Sequence, residues 1–174
     1  MIDHEPQQRL AADLLAVMRG GAAAAVARGA SFIAPAHVME GLLADPRVGP
    51  ALAPIVTRGR LERSAEDAAH KLPDILPLPE IGVARGEEPA FARFDSLAFR
   101  TPDGASTLYL DADALHVFVE GARRAGETYR AKHLLLGFTA EAVKDRDVLS
   151  LFGVDPLDVA RVVDALPDAE NEPA

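Results

Sequence analysis

Residues 129–138 read Tyr129-Arg-Ala-Lys-His-Leu-Leu-Leu-Gly-Phe138, and an earlier segment, Ile33-Ala-Pro-Ala-His-Val-Met-Glu-Gly-Leu42, has the same plan. In each segment an apolar or aromatic residue precedes a short turn, and a histidine, His37 or His133, then opens an apolar helix. A glycine follows each histidine by four residues. Because one chain carries two copies of this plan, we predict an internal repeat.

The composition favours a helical protein that does not bind nucleic acid. Of the 174 residues, 49% are apolar and only 5% are aromatic, and frequent alanine favours close-packed helices over a β-sandwich. The 18 basic and 27 acidic residues give a formal charge of −9, which repels a phosphate backbone unless basic residues are concentrated. Arg58, Arg60 and Arg63 are close in sequence. Glu62 and Glu66 lie among them, however, so we expect no basic patch.

The expected cellular location depends on three features that the sequence lacks. The chain has no cysteine, which excludes disulfides and thiolate zinc sites. Residues 1–5 lack the basic start and apolar run of a signal peptide. No uninterrupted apolar stretch reaches the length of a membrane span. We therefore expect a cytoplasmic protein with no membrane contact.

The first half is predicted to form four helices. Residues 6–28 carry apolar residues at three- and four-residue steps, as one bent helix or as two helices broken at Gly20-Gly21. Gly29 is placed to close this segment in the left-handed conformation. The three further helices are expected at 35–43, 48–56 and 60–72, and prolines shorten or distort the second of these.

The second half begins with a predicted β-hairpin. Short runs at 96–100 and 107–110 flank a Thr-Pro-Asp-Gly turn signal. Because an isolated hairpin is marginally stable, we expect it to pack on the helices or to pair with a partner chain.

Helices follow the hairpin. Asp111 or Asp113 can cap a helix that ends at Gly126, and two shorter helices are expected at about 131–141 and 147–152. A last helix starts after Asp155, which is the predicted N-cap, with a proline at the first helical position. Val154 and Val159 are spaced for a hydrophobic staple across this start.

These residues resemble the Clp repeat, which occurs twice in the N-terminal domain of the ring-forming Clp unfoldases of the ClpA and ClpC type. The positions that match in both halves are the apolar residue, the histidine and the glycine: Ile33, His37, Gly41, Tyr129, His133 and Gly137. The second half also carries the Gly-Val-Asp of the family, ending at Asp155, and the first half does not. The resemblance covers about residues 8–72 and 112–166.

The resemblance implies a mainly all-α fold of two four-helix Clp repeats in pseudo-twofold arrangement. The expected units are a divergent first repeat at 1–72, a second repeat at 111–166 and a disordered acidic tail at 167–174. A proline-rich connector with the β-hairpin, at 73–110, is expected as an insertion between the repeats. The two repeats form one domain, and His37, Gly41, His133, Gly137 and Asp155 are its structural motif. No Gly-x-x-x-x-Gly-Lys segment occurs, so the chain lacks the phosphate-binding loop of the unfoldase ATPase. We expect a stand-alone bacterial recognition domain, or a fragment of a longer protein.

The residues point to no catalytic, cofactor or metal site. His37 and His133 occupy equivalent positions, but a helix-start histidine more often bonds a nearby backbone carbonyl than a metal. The acidic residues show no paired spacing in an apolar setting, and no serine lies on a nucleophile elbow. We expect a protein that is not an enzyme and needs no cofactor.

Two surfaces are candidates for binding. In related domains an acidic residue before each histidine helps to bind phosphoarginine. The matching positions here are Ala36 and Lys132, which cannot receive a guanidinium, so we interpret both as solvent-facing. The other candidate is a groove between the repeats, where family members bind adaptors, substrate segments or cyclic peptides. Its predicted residues are Phe32, Ala36, Met39, Tyr129 and Lys132, with Phe91, Phe94, Phe99 and Tyr109 as further candidates and plain core packing as the alternative for each.

Three functions stay open at this point. The chain is a protein- or peptide-binding domain that modulates a Clp chaperone-protease by contacting its unfoldase, an adaptor or a substrate. Alternatively it sequesters a cyclic peptide or another small molecule. The third possibility is an oligomerising regulator whose hairpin edge pairs between subunits, although we expect a monomer or a weak homodimer.

Overall fold

A computed structural model describes residues 8–70, 97–140 and 148–166. The fold is mainly helical with short strands, as predicted. The elements of the first half are β1 (Arg9–Leu10), α1 (Ala12–Ala27), β2 (Phe32–Ile33), α2 (Pro35–Ala44), α3 (Val48–Leu52), a 3-10 turn (Ala53–Ile55) and α4 (Arg58–His70). Those of the second half are β3 (Ala98–Arg100), β4 (Thr107–Leu110), α5 (Ala112–Arg124), β5 (Thr128–Tyr129), α6 (Ala131–Gly137), α7 (Val148–Leu151) and α8 (Pro156–Ala165).

Helix α1 runs unbroken through its two glycines, so the single-helix alternative is confirmed. Gly21 is buried because α2 crosses α1 at this point: a Cβ on Gly21 would lie 3.1 Å from the carbonyl oxygen of His37. Gly29 ends the helix as predicted, with φ +78°. The Gly29 amide donates to Val26 and the Ala30 amide donates to Ala25, both at 2.9 Å, which is the hydrogen-bond pattern of a Schellman motif.

Glycines permit close helix crossings in both halves. A Cβ on Gly41 of α2 would overlap the carbonyl oxygen of Val17 and lie 2.9 Å from the amide nitrogen of Gly21. In the second half a Cβ on Gly137 would overlap the carbonyl oxygen of Val117 and lie 2.8 Å from the amide nitrogen of Gly121. At each of these two crossings, the backbones of the two helices therefore come into direct contact, and each helix has a glycine at the contact.

Short strands tie the two halves together reciprocally. Strand β1, which precedes α1, pairs in parallel with β5, which precedes α6. Strand β4, which precedes α5, pairs in parallel with β2, which precedes α2. The predicted hairpin is confirmed, since β3 pairs antiparallel with β4. It is more than an insertion, however, because β4 lies between β2 and β3 in a three-stranded sheet.

The helix contacts between the halves are reciprocal as well. Helix α1 contacts α6 and α2 contacts α5, while α3 contacts α8 and α4 contacts α7. One hydrophobic cluster contains residues of both halves. At its centre Phe118 lies between Phe99 and Tyr129, at ring-centroid distances of 5.7 and 4.9 Å. The hairpin thus contributes to the core through Phe99, which is fully buried.

Several predicted helix ends shift for local reasons. The helix expected at 48–56 tightens into a 3-10 turn at Ala53–Ile55, where Pro54 has no amide hydrogen to donate. Helix α6 ends at Gly137 rather than near residue 141. Asp111 and Asp155 are N-caps as predicted, since their carboxylates accept from Ala114 at 2.8 Å and from Leu157 at 2.9 Å. The expected connector at 73–96, with Phe91 and Phe94, and the tail at 167–174 lie outside the described residues.

Candidate functional site

Helices α2 and α6 begin with the same hydrogen bond. The segment 33–37 is called here the first helix start and 129–133 the second. In the first, the amide of Ala34 donates to Nδ1 of His37 at 3.0 Å. In the second, the amide of Arg130 donates to Nδ1 of His133 at 3.0 Å. The histidines satisfy an amide that the N-cap residue itself leaves unpaired, as a glutamate does in a capping box.

This bond selects one tautomer of both neutral rings. Because Nδ1 accepts a hydrogen bond, it carries no proton, and the neutral ring holds its proton on Nε2. The expectation that these histidines bond a nearby backbone carbonyl is wrong in the partner of Nδ1, which accepts from a backbone amide in both His37 and His133. Within the described ranges, no group of three or more histidine, aspartate or glutamate residues is placed to hold a metal ion.

His37 has a second bond that makes it part of the core. Its Nε2 lies 3.2 Å from the carbonyl oxygen of Ala65 and donates to it, which ties the start of α2 to α4. The side chain is fully buried. Burial lowers the pKa of His37, and the hydrogen bond to Ala65 opposes this only in part. The first helix start is thus a closed, internally satisfied structure with no surface imidazole.

His133 is half-buried and differs in its surroundings. No hydrogen-bond partner of Nε2 is found among the described residues. Burial lowers the pKa of His133, and the positive charges of Lys132 and Arg130 lower it further, while Asp13 acts in the opposite direction. The second helix start therefore presents an imidazole edge and two cationic side chains at the surface.

The start of α1 completes this site. One carboxylate oxygen of Asp13 accepts from the amide of Leu14 at 2.7 Å, and the other accepts from the amide of Ala131 at 3.4 Å. Asp13 thus links the start of α1 to the start of α6. The equivalent amide in the first half is missing because Pro35 occupies that position. Of the two helix starts, only the second carries cationic side chains, those of Arg130 and Lys132.

The predicted groove residues do not lie on one surface. Met39 and Tyr129 are fully buried and Ala36 is 4% exposed, whereas Phe32 and Lys132 are partly exposed. The Tyr129 hydroxyl donates to the carbonyl oxygen of Phe118 at 2.8 Å, and burial raises the pKa of Tyr129 well above its usual range. The core-packing alternative therefore applies to Met39 and Tyr129. The expectation that Ala36 faces solvent is wrong, because α2 starts against the core.

The sequence interpretation missed the ion pairs that Arg28, at the end of α1, forms with Glu40 of α2 and Glu66 of α4. Arg28 donates to Glu40 through two of its nitrogens, both at 3.0 Å, and to Glu66 at 2.8 Å. These carboxylates raise the pKa of Arg28. Glu66 also lies 3.5 Å from His70. Among the described residues, Glu66 forms no ion pair with Arg60 or Arg63.

Comparison with known proteins assigns no family to the chain. No protein-family model matches the sequence, and a search of curated proteins returned no match. Among the described helices, none has both the length and the apolar character needed to cross a membrane. The Clp-repeat assignment and the cytoplasmic location stay predictions.

Proposed function

We propose that the chain is a non-enzymatic protein- or peptide-binding domain built from two Clp-like repeats in pseudo-twofold arrangement. In this proposal it acts as an adaptor or modulator of substrate recognition by a Clp chaperone-protease. The observation that carries the proposal is the reciprocity of the halves, in which β1 pairs with β5 while β4 pairs with β2. Two copies of one plan that interlock in this way are what the resemblance to the Clp repeat leads us to expect.

The second helix start is the binding site that we favour within this proposal. Lys132 and Arg130 flank a half-buried imidazole there, whereas the first helix start is closed by Ala36 and His37. Cationic side chains around a helix N-terminus favour carboxylates or phosphates over guanidinium groups. The ligand of this site is therefore an anionic group of a peptide or protein, which differs from the arginine-derived ligand of related domains.

Photo-crosslinking at the site tests the proposal. A photoreactive residue replaces Lys132, and a matched control carries it at Arg123, whose side chain is 69% exposed at the end of α5. Each variant is mixed with a Clp unfoldase from the same cells and a model substrate. We expect crosslinks to unfoldase, adaptor or substrate from position 132 and not from position 123.

A degradation assay provides the second readout. The unmodified chain, added at equimolar amounts to the unfoldase, is expected to change the degradation rate of the model substrate. If position 132 gives no crosslink and the rate stays constant, the proposal is wrong. Thermal-shift measurements with cyclic peptides then test the sequestering alternative, because a ligand of the folded state raises Tm.

The sheet disfavours the alternative in which the hairpin pairs between subunits. Strand β4 is paired on both sides, so within the described residues the free edge of the hairpin belongs to β3, and β2 is the other edge of the sheet. That strand spans three residues, and Ala98 and Phe99 are buried. An edge this short offers few hydrogen bonds to a second copy.

A further inference from the structure

Helix α4 is held in the fold by little buried surface. Of its 13 residues only Leu61 and Ala65 are buried, whereas α5, which has the same length, buries six. Helix α4 contacts α2 and, less extensively, α7. Elements that bury few apolar side chains open at a lower free energy than the rest of a fold. The polar bonds that attach α4 therefore decide whether it stays in place.

Among the described residues, the bond from α2 to α4 is buried and the other attachments of α4 lie nearer to solvent. The amide of Thr57, just before α4, donates to a carbonyl oxygen of the second half at 2.9 Å. Arg28 donates to Glu66, whose side chain is exposed, at 2.8 Å. In the middle of α4, Nε2 of the fully buried His37 donates to the carbonyl oxygen of Ala65, 3.2 Å away. This bond holds the side of α4 that faces α2.

The two bonds of His37 require a neutral ring. Its Nδ1 accepts from the amide of Ala34 at 3.0 Å, and its Nε2 donates to Ala65. A second proton binds at Nδ1 and would point at the hydrogen of the Ala34 amide, so that two donors face each other. No carboxylate among the described residues is hydrogen-bonded to the ring, so the imidazolium would also be a charge buried without a bonded partner. The closed arrangement therefore excludes the protonated ring.

We propose that His37 makes the attachment of α4 sensitive to pH: when its ring is protonated, α4 separates from α2 while the other helices stay packed. The ring takes up the proton only after it has left its contact with Ala65, so proton uptake and separation occur together. Separation exposes the apolar side of α4, which Leu61 and Ala65 form. This regulatory device is independent of the proposed function, because it depends only on helix contacts within the chain.

The charged groups that act on His37 come from three helices. Burial is the main cause that lowers its pKa; Arg28, at the end of α1, lowers it too, whereas the Ala65 bond, Glu40 of α2 and Glu66 of α4 raise it. In the part of the chain that the structure describes, α3 has no titratable group and no charged group of α5 acts on the ring. Because the released ring has its ordinary pKa of 6.5, the open fraction rises as pH falls below 6.5. The rise is at most about tenfold per pH unit and ends at the lowered pKa of the closed ring.

Hydrogen exchange of the full chain between pH 8 and pH 5 tests this proposal, after correction for intrinsic exchange rates. We expect the amides of α4 to be less protected than those of α5 at every pH. The opening equilibrium of α4 is expected to rise by up to about tenfold per pH unit below pH 6.5. Low concentrations of urea are expected to increase exchange in α4 less than in α5, because a local opening exposes less surface than global unfolding.

Glutamine at position 37 removes the titration and keeps the helix-start bond. A glutamine at this position of a capping box accepts from the N-cap amide, so in His37→Gln we expect an opening of α4 that no longer depends on pH. His133→Gln and His70→Gln are the matched controls. His133 makes the same Nδ1 bond at the other helix start, and His70 lies on α4 itself, 3.5 Å from Glu66. Both variants are expected to keep the pH dependence of wild-type α4.

Three outcomes overturn the proposal. In the first, α4 and α5 show the same protection and the same urea dependence, so that α4 opens only by global unfolding. In the second, the opening of wild-type α4 does not change with pH; this measurement needs no variant and stays decisive if His37→Gln does not fold. In the third, the pH dependence persists in His37→Gln, or it is lost in His70→Gln, which assigns it to His70 and Glu66.

Discussion

The two helix starts share a framework and differ in what surrounds it. In both, an amide at the N-cap donates to Nδ1 of a histidine, and a glycine one turn later lies against a neighbouring helix. At the first start the imidazole is fully buried and bonded to Ala65. At the second, His133 is half-buried beside Lys132 and Arg130. The first start is a buried contact between helices. The second makes the same kind of contact but is partly exposed at the surface.

This difference separates the constraints of packing from those of binding. The glycines and the Nδ1 bond are geometric requirements of the helix crossing, so both halves meet them. The residues at positions 34 and 36 are both alanine, and their equivalents are Arg130 and Lys132. Position 36 is buried, whereas Lys132 is partly exposed, so only the second start can acquire charged side chains without burying a charge.

Placing a methyl group at the helix crossings is expected to have the largest effect on stability. A Cβ on Gly41 would overlap the carbonyl oxygen of Val17, and one on Gly137 would overlap that of Val117. Because the obstacle is backbone, the helices must separate. We expect Gly41→Ala and Gly137→Ala each to lower the free energy of unfolding by about 3 kcal/mol, as measured by urea denaturation.

A glycine of α4 serves as the control for these substitutions. A Cβ on Gly59 meets no atom within 4 Å, so Gly59→Ala is expected to raise the free energy of unfolding by about 0.5–1 kcal/mol through better helix propensity. If Gly41→Ala lowers the free energy of unfolding and Gly137→Ala does not, the two helix crossings do not both require a glycine.

Removing the imidazoles tests the difference between the two starts directly. His37→Ala leaves the buried amide of Ala34 without its partner and removes the bond to the carbonyl oxygen of Ala65. We expect a cost of about 3 kcal/mol. His133→Ala removes one helix-start bond near solvent, and its expected cost is about 1 kcal/mol. His70→Ala is the control, because its side chain is 75% exposed. Equal costs at positions 37 and 133 in urea denaturation would contradict the comparison.

The lowered pKa values of both histidines predict a loss of stability in mild acid. Burial is the main cause at His37 and at His133, whose ordinary pKa is 6.5. Below pH 6.5 the unfolded chain binds protons that the folded chain does not yet bind, so the free energy of unfolding falls as pH decreases towards the lowered values. Each histidine contributes at most about 1.4 kcal/mol per pH unit.

Urea denaturation between pH 8 and pH 5 measures this slope. The variants His37→Gln and His133→Gln each remove one titrating group, so each is expected to show a shallower fall than the wild type. A wild-type slope in both variants would contradict the assignment of the acid sensitivity to these rings.

Features that depend on neighbouring residues could be predicted from the sequence. The Gly29 end of α1, the caps at Asp111 and Asp155 and the hairpin around Pro102-Asp-Gly104 each need only a few adjacent residues of the right type. The positions of both helix-start histidines were predictable for the same reason, since His37 and His133 each bond an amide three residues away.

Features that depend on distant segments could not be predicted in this way. Two-residue strands such as β1 and β5 are too short to show an alternating pattern. The burial of Met39 and Tyr129 depends on how the halves interlock. The ion pair between Glu66 and Arg28 joins residues 38 positions apart, so the position of Glu66 three residues after Arg63 did not reveal its partner.

The smallest expected effect is a change in the titration of His133 alone. Removing the charge in Lys132→Ala eliminates the larger of the two electrostatic contributions that lower the pKa of His133, so that pKa is expected to rise towards its ordinary value. The side chain is partly exposed, and the free energy of unfolding should change by no more than about 0.5 kcal/mol. NMR titration of the imidazole Hε1 signals measures both histidines in one sample.

His37 is the internal control of that titration, because Lys132 does not contribute to its environment. Arg130→Gln is expected to act in the same direction as Lys132→Ala but less strongly. Because exposed charges are screened, the rise at His133 should shrink as salt is added. If the pKa of His133 stays the same in Lys132→Ala at low salt, burial alone sets it. The second helix start would then be no more electropositive at its imidazole than the first, and the comparison would reduce to a difference in exposure.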